Sequence, residues 1–123
     1  MSLDIAIYPP VNGNQYLVLD GRLDSHTHEA FDARLAPLLA ERPPVLVLDL
    51  AGLHYISSAG IRSILKARKA LAPHRGRVVL VHAQEQVRRV IELVQAVPLE
   101  QVFASSAEVD AYIDALQRDV LGR

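Results

Sequence analysis

One segment constrains the fold more than any other, because the spacing of its apolar residues changes from that of a strand to that of a helix between residues 45 and 65. Residues 45–50 are aliphatic apart from Asp49, and such a continuous run is typical of a strand covered on both faces. Apolar residues then recur at helical spacing, at Ile61, Ile64, Leu65 and Leu71. The segment therefore predicts a buried strand, a loop over residues 51–58 and a helix.

Two serines, Ser57 and Ser58, lie where the period changes. A serine there can accept a hydrogen bond from the first free N–H groups of the helix, and serine is a common helix cap. The same place suits an anion, because those N–H groups and the positive end of the helix dipole favour negative charge. From spacing alone, capping is the favoured interpretation of both serines. Gly60 is interpreted as a position that lets the chain pack closely against neighbouring backbone.

Strand and helix patterns alternate along the rest of the chain. Strands at residues 3–8 and 16–20 are joined by a proline-containing loop whose Asn12 and Gly13 favour a hairpin turn. A helix is predicted from Ser25 or Thr27 to about residue 40, with Pro37 inside it. A strand, a helix, a strand and a final helix follow, at residues 78–81, 84–96, 101–103 and from a capping-box pattern at Ser105 onward.

This order of elements predicts the α/β fold class and one domain over residues 1–123. Strand–helix–strand crossovers place parallel strands side by side, whereas the opening hairpin is antiparallel. We therefore expect a mixed, mostly parallel sheet with an antiparallel N-terminal edge and about four flanking helices. Half of the 123 residues are hydrophobic while only 5% are aromatic, which indicates an aliphatic core of ordinary size for one domain.

Two short motifs carry a family resemblance. Residues 57–61 read Ser-Ser-Ala-Gly-Ile, and residues 19–24 read Leu-Asp-Gly-Arg-Leu-Asp. They resemble the STAS family, the sulfate-transporter and anti-sigma-factor-antagonist domains, especially its free-standing bacterial antagonists. The first is similar to the family signature Asp-Ser-Ser-Gly-Leu, with Ser57 in place of the aspartate and Ala59 in place of the second serine. The second is similar to the family's Gly-x-Leu-Asp segment, and it places Asp24 at the position expected beside the serine.

The resemblance implies a STAS-like domain that regulates transcription by partner switching. It implies that the unphosphorylated protein binds an anti-sigma factor that doubles as a serine kinase of the GHKL type. Phosphorylation by that kinase would switch the protein off, and the resemblance puts Ser58 on the phosphorylated position. A phosphatase would be a further partner.

Two other functions stay open. The first alternative is a STAS accessory subunit of a membrane transport complex for lipids or anions, which binds the ATPase or transporter without a phosphorylation cycle. The presence of Ser57 where the signature has an aspartate keeps this alternative open. A second alternative is a member of a large stress-sensing assembly.

The predicted partner-binding surface combines the signature with a basic stripe. Arg62, Lys66 and Lys69 follow the signature at i, i+4 and i+7, which places three positive charges on one face of a helix. Such a stripe is usually only a solvated face, and docking of a partner is the sharper hypothesis. The predicted surface consists of Asp24, Ser57, Ser58, Ala59, Gly60, Arg62, Lys66 and Lys69. Asp49 is interpreted as a surface residue near the end of its strand.

Several classes of function find no support in the sequence. A formal net charge of −1 gives no reason to expect direct binding of nucleic acid. The chain has no cysteine, and His26 and His28 diverge on a helix, so we predict no disulfide and no metal site. The signature lacks the first glycine of a nucleophile elbow, and no phosphate-cradling glycine loop is present. We therefore predict a protein that is not an enzyme and needs no cofactor.

The location of the protein is predicted from the absence of membrane signals in the sequence. No apolar run approaches the roughly 20 residues that a transmembrane helix requires. The first residues do not combine a basic stretch with an apolar one, so no secretory signal is visible. A cytoplasmic protein without a transmembrane segment is the expectation.

Overall fold

The computed structural model describes residues 2–96 and 106–122. In these residues four strands form one sheet in the order β1-β2-β3-β4: β1 is Leu3–Val11, β2 is Asn14–Leu23, β3 is Val45–Ile56 and β4 is Arg77–Val81. Strand β1 pairs antiparallel with β2, and β2 with β3 and β3 with β4 are parallel. The predicted mixed sheet with an antiparallel N-terminal edge is confirmed.

The opening hairpin is longer and tighter than predicted. Strand β1 continues through Pro9 and Pro10 to Val11, with an irregular register between Tyr8 and Val11. Prolines are tolerated there because β1 is an edge strand of the described sheet, where a missing N–H leaves no inner neighbour unpaired. Asn12 and Gly13 alone make the turn, both with positive φ, of 53° and 80°. The predicted loop over residues 9–14 is therefore wrong, although its turn dipeptide is right.

Strand β3 is twice as long as the predicted strand. It runs over 12 residues to Ile56, and no loop separates it from the following helix. Its second half pairs with Asp20 to Leu23 of β2 through two register shifts. Because of these irregularities, the apolar residues of this half do not follow the regular spacing of a strand. Two expectations are corrected: residues 51–56 are strand and not loop, and Asp49 lies in the middle of β3 and not near its end.

Four helices flank the sheet in the described residues. Helix α1 is His28–Ala40, α2 is Ser58–Leu71, α3 is Glu85–Ala96 and α4 is Ser106–Leu121, and a short 3-10 turn, Ala72–His74, follows α2. Helix α1 starts next to Thr27, one of the two predicted starts, and Pro37 lies inside it. The strand predicted at residues 101–103 lies outside the described residues, as does Ser105 of the predicted capping box.

The core lies between the helices and one face of the sheet. Alternate residues of β2 and β3 point into it, and Phe31 and Leu35 of α1 are buried against them. The opposite face of the sheet is only half-buried, so β3 is not fully covered on both faces as its apolar run suggested. In α4, Ile113 and Val120 are buried, whereas Tyr112 is 44% exposed. The fully buried strand residues are Leu17, Leu19, Leu23, Leu46, Leu48, Leu50, Leu53 and Ile56.

A polar cluster interrupts the half-buried face of the sheet. The Tyr16 hydroxyl donates to the Asp49 carboxylate at 2.5 Å, and His82 Nδ1 lies 3.2 Å from the same oxygen. The Tyr16 hydrogen bond is the main reason why the pKa of Asp49 lies below its ordinary 3.8, and burial opposes that shift. The same hydrogen bond raises the pKa of Tyr16. Asp49 is thus held ionised by a partner on the neighbouring strand.

Replacing Tyr16 with phenylalanine should make stability less dependent on pH in the acid range. Because the pKa of folded Asp49 is lowered, its stabilising effect is fully present above about pH 4 and is lost as the pH falls through the folded value. Melting curves from pH 2 to 7 should show the variant below the wild type near neutrality, with the gap closing in acid. Tyr8→Phe, which removes a hydroxyl from the ring beside Tyr16 and not the hydroxyl that binds Asp49, is the control. A gap of constant size at every pH would contradict the assignment.

Candidate functional site

Helix α2 begins immediately where β3 ends, and Ser57 is the cap. The Ser57 side chain accepts a hydrogen bond from the Gly60 backbone N–H at 3.3 Å. Its own N–H donates to the carbonyl oxygen of Leu23, at the end of β2, at 2.9 Å. The two serines therefore have different places, since Ser57 caps the helix and Ser58 is its first residue. The capping interpretation holds for Ser57.

Gly60 is required by the close approach of α2 to the end of β2. A Cβ atom at this position would lie 2.6 Å from the carbonyl oxygen of Leu23 and 2.8 Å from its side chain. Backbone cannot give way as the end of a side chain can, so any larger residue would push the start of α2 away from β2. Gly60 thus fixes the position of both serines, as the packing interpretation predicted.

Ser58 is buried and engaged by another helix. Only 5% of the residue is exposed, and its hydroxyl donates a hydrogen bond to the carboxylate of Asp110 in α4. Asp110 itself is exposed. A serine at the first position of a helix also lies beside the free N–H groups and the positive dipole end of that helix. Ser58 therefore lies between a helix end that favours negative charge and a carboxylate that opposes it.

Two further contacts join the same face of α4 to the end of β3. Asp114, one turn after Asp110, accepts a hydrogen bond from the Tyr55 hydroxyl. Burial is the main cause, and the Asp114 carboxylate the next, of a Tyr55 pKa that is raised to about 12. Gln117, which is 1% exposed, accepts from the Ile56 N–H at 3.0 Å and donates to the Ile56 carbonyl at 2.7 Å. We call Asp110, Asp114 and Gln117 the α4 seam. It holds three successive turns of α4 against residues 55–58.

A cleft of about 340 Å³ opens beside Ser57. Two guanidinium groups lie on its lining, from Arg22 at the end of β2 and from Arg62 in the second turn of α2. Arg22 stacks over the Tyr55 ring, with its guanidinium carbon 4.0 Å from the ring centroid. Cations and carboxylates therefore share this cleft. Its lining residues are Arg22, Asp24, Ser25, His26, Tyr55, Ser57, Ala59, Arg62 and Asp110.

Asp24 holds the turn that leads from β2 to α1. Its carboxylate accepts from the backbone N–H groups of His26 and Thr27, at 3.0 and 3.2 Å, and from Arg22 Nε at 3.4 Å. Burial would raise the pKa of Asp24, but the hydrogen bonds from His26, Arg22 and Thr27 outweigh it and lower the pKa below its ordinary value. Asp24 is therefore an anion at neutral pH, 5% exposed, on the lining of the same cleft as Ser57.

The basic stripe lies on the exposed side of α2, as its spacing predicts. Arg62, Lys66 and Lys69 are all exposed. Lys66 Nζ lies 3.6 Å from the Asp32 carboxylate of α1, an exposed contact that contributes little stability. Only Arg62 of the three lines the cleft, so the stripe leads from the cleft along the surface of α2.

The structure thus brings half of the eight residues that the sequence selected to one cleft. Asp24, Ser57, Ala59 and Arg62 line one cleft, whereas Ser58 and Gly60 are buried behind it and Lys66 and Lys69 lie farther along α2. Sequence reasoning missed the whole α4 seam together with Arg22 and Tyr55. Arg22 and Tyr55 stand two residues before Asp24 and Ser57, which is the one local signal that could have found them. Asp110 carries no such signal, because 52 positions separate it from Ser58.

Comparison with known sequences identifies relatives of this chain. The family model described as STAS domain matches residues 7–109. BtrV of Bordetella bronchiseptica, which is described as an anti-sigma factor antagonist, is 36% identical over 83 residues, covering 68% of this chain and 72% of BtrV.

Comparison with solved structures supports the same fold. An anti-sigma factor antagonist from Mycobacterium paratuberculosis superimposes with a TM-score of 0.66 at 24% identity, covering 84% of each chain. The Bacillus cell fate determinant SpoIIAA in its phosphorylated form superimposes with a TM-score of 0.62 at 18% identity, covering 74% of this chain and 83% of SpoIIAA. Within the part of the chain that the structure describes, none of the helices combines the length and the apolar character needed to span a membrane.

Proposed function

We propose that this chain, which belongs to the STAS domain family, is an anti-sigma factor antagonist that phosphorylation of Ser58 switches off. In its unphosphorylated form it binds an anti-sigma factor and so frees a sigma factor. The anti-sigma factor is also the serine kinase, of the GHKL type, that modifies Ser58. The protein is then a binding partner and a kinase substrate, and its own residues carry out no catalysis.

The observation that carries this proposal is the position of Ser58. It is the first residue of α2, and the resemblance assigns it to the signature position of the family. The residue before it, Ser57, lines a cleft that two arginines also line. The relationship to BtrV supports the antagonist role, because 36% identity extends over about two thirds of both chains. SpoIIAA, which has the same fold, has been solved in a phosphorylated form, and this supports extending the modification to Ser58.

The physical basis of the switch is added charge at an interface. A phosphate adds close to two negative charges at neutral pH. The N-terminus of α2 favours that charge through its free N–H groups and its dipole. A docked kinase that carries ATP or its own carboxylates would face like charge and a desolvation cost at the same surface. The cost of phosphorylation therefore falls mainly on the complex.

The experiment that tests this function is a pull-down with the full chain as bait, in the presence of ATP and in its absence. Recovery of a small GHKL-type kinase that phosphorylates the bait supports the proposal. Recovery of a transporter ATPase instead contradicts it. A Gly60→Leu bait, in which the start of α2 cannot approach β2, is the control for contacts that do not depend on the site.

A second candidate function is an accessory subunit of a membrane transport complex that binds the ATPase or transporter. Two observations favour it: Ser57 occupies the place of the signature aspartate, and the Ser58 hydroxyl is buried and already hydrogen-bonded. In this case the cleft would hold a partner permanently. The same pull-down distinguishes the two functions.

The basic stripe should steer an acidic partner toward the cleft. Reversing Lys66 and Lys69 to glutamate is expected to lower the association rate more at low salt than at high salt, because exposed charges act over a Debye length of about 10 Å at 0.1 M ionic strength. Stability should change by only about 0.5 kcal/mol, as is usual for exposed positions. Stopped-flow kinetics over a salt series measures the association rate of the wild type and of the variant.

A matched control for the stripe is available on the same helix. Arg68→Glu makes an equal change of charge on another face of α2, and it should slow association less than Lys69→Glu does. If Lys66 and Lys69 can be reversed without any effect on association at any salt concentration, the stripe is only a solvated face. Recognition would then depend on the cleft alone.

A further inference from the structure

We propose that Asp110 ties α4 to Ser58 in the unmodified protein, and that phosphorylation of Ser58 releases the first turns of α4. The movement of α4 would then change a second part of the surface, away from the signature itself. This inference rests on the proposed function, because it assumes that Ser58 is the phosphoacceptor. Its new content is the role of Asp110 and the movement of α4.

The first step of the argument is that this tie cannot survive the modification. The Ser58 hydroxyl has one proton, and it donates that proton to the Asp110 carboxylate. A phosphoserine oxygen replaces the hydroxyl with a group that is almost fully ionised at neutral pH and has no proton to donate. Where one hydrogen bond stood, two anions would be in contact. One of them has to move.

The second step is that α4 moves and not α2. The start of α2 is fixed, because Gly60 packs against the Leu23 carbonyl and the Ser57 N–H donates to the same oxygen. Its free N–H groups also favour the phosphate where it forms. Asp110 is already exposed, so its carboxylate can leave Ser58 for water without giving up a buried position of its own. The balance of forces therefore separates Asp110 from Ser58.

The third step limits how far the movement extends. Gln117 makes two hydrogen bonds to the Ile56 backbone, and Ile113 is 1% exposed in the core. Both contacts are distant from the new charge and should persist. Asp114, one turn from Asp110, is a second carboxylate that faces the same region through its contact with Tyr55. Release should therefore weaken the helical hydrogen bonds that the amides of residues 110–113 donate to the carbonyl oxygens of residues 106–109, and it should fade before Gln117.

Hydrogen exchange followed by mass spectrometry tests this on the full chain. In Ser58→Asp, amides of residues 110–113 should exchange about tenfold faster than in the wild type, the change expected when one hydrogen bond to a charged group is lost. Amides of residues 117–121 and of β3 should keep their rates. Ser57→Asp is the matched control, since it adds the same charge one residue away at a cap position that aspartate suits. It should leave α4 unchanged.

A second substitution isolates Asp110. In the double variant Ser58→Asp, Asp110→Asn, an amide replaces the carboxylate and can donate to the new aspartate, so slow exchange in α4 should return. If Ser58→Asp proves unfolded, Asp110→Ala in the otherwise native chain removes the tie without added charge and should accelerate the same amides. Unchanged exchange at residues 110–113 in Ser58→Asp, an equal effect of Ser57→Asp, or no restoration by Asp110→Asn would overturn the proposal.

The outcome separates this inference from the proposed function, because the exchange measurement needs no partner. Faster exchange in α4 together with unchanged affinity for the partner would support release and contradict the switch. Unchanged exchange together with weakened binding would support the switch and overturn release. Each of the two measurements therefore decides one of the two proposals.

Discussion

Replacing Ser58 with alanine is expected to abolish phosphate transfer from the cognate kinase, and Ser57→Ala should leave most of it. The reason is position: the family resemblance assigns Ser58, at the start of α2, to the phosphorylated site, whereas the Ser57 oxygen is the helix cap and accepts the Gly60 N–H. Loss of that cap should cost about 1 kcal/mol of stability without removing the acceptor. The two adjacent serines thus act as controls for each other.

Intact-mass measurement and peptide mapping after incubation with kinase and ATP decide the assignment. One added phosphate on the wild type and on Ser57→Ala, and none on Ser58→Ala, is the expected pattern. Circular dichroism of each variant shows whether a missing phosphate reflects a missing acceptor or a missing fold. Phosphate mapped to Ser57 alone, or undiminished incorporation in Ser58→Ala, would show that Ser58 is not the phosphoacceptor.

The fold could be predicted from the sequence wherever one physical signal dominated. The change of period at residues 45–65 predicted β3 followed by α2, and the order of elements predicted the mixed sheet. The end of β3 was missed because Gly52, His54 and Tyr55 break the apolar run while backbone pairing with β2 continues. The prolines of β1 gave the opposite error, since a residue that usually ends a strand is tolerated on an edge.

The site was predictable only in its local part. Asp24 could be placed beside the serines through the family resemblance, and Arg62 could be placed near them because it lies in the helix that the serines begin. The contact of Ser58 with Asp110 depends on how α4 packs, and packing over 52 positions leaves no spacing pattern to find. Gln117 was missed for the same reason: a glutamine in a helix is usually a surface residue, and only the packing of α4 shows that it is buried against Ile56.

Ser58→Asp and Ser58→Glu are expected to weaken binding of the anti-sigma factor by at least about tenfold, which corresponds to about 1.4 kcal/mol. The new carboxylate would lie next to the cleft where we propose that the partner docks, and like charges across an interface are strongly unfavourable. Titration calorimetry on the wild type and both variants measures the affinity. The single charge of a carboxylate makes this a lower bound for the phosphate.

The fold should survive these two substitutions, although at some cost. The start of α2 favours the added charge, but Asp110 opposes it at hydrogen-bond range, so a moderately lowered melting temperature is expected instead of an unchanged one. Ser57→Asp again separates the effects, because it adds a charge to the lining of the cleft and keeps the hydrogen bond from the Ser58 hydroxyl to Asp110. If Ser58→Asp binds as the wild type does, charge at Ser58 is not the switch. If it unfolds the domain, any loss of binding reports stability, and the argument for an interface effect fails with it.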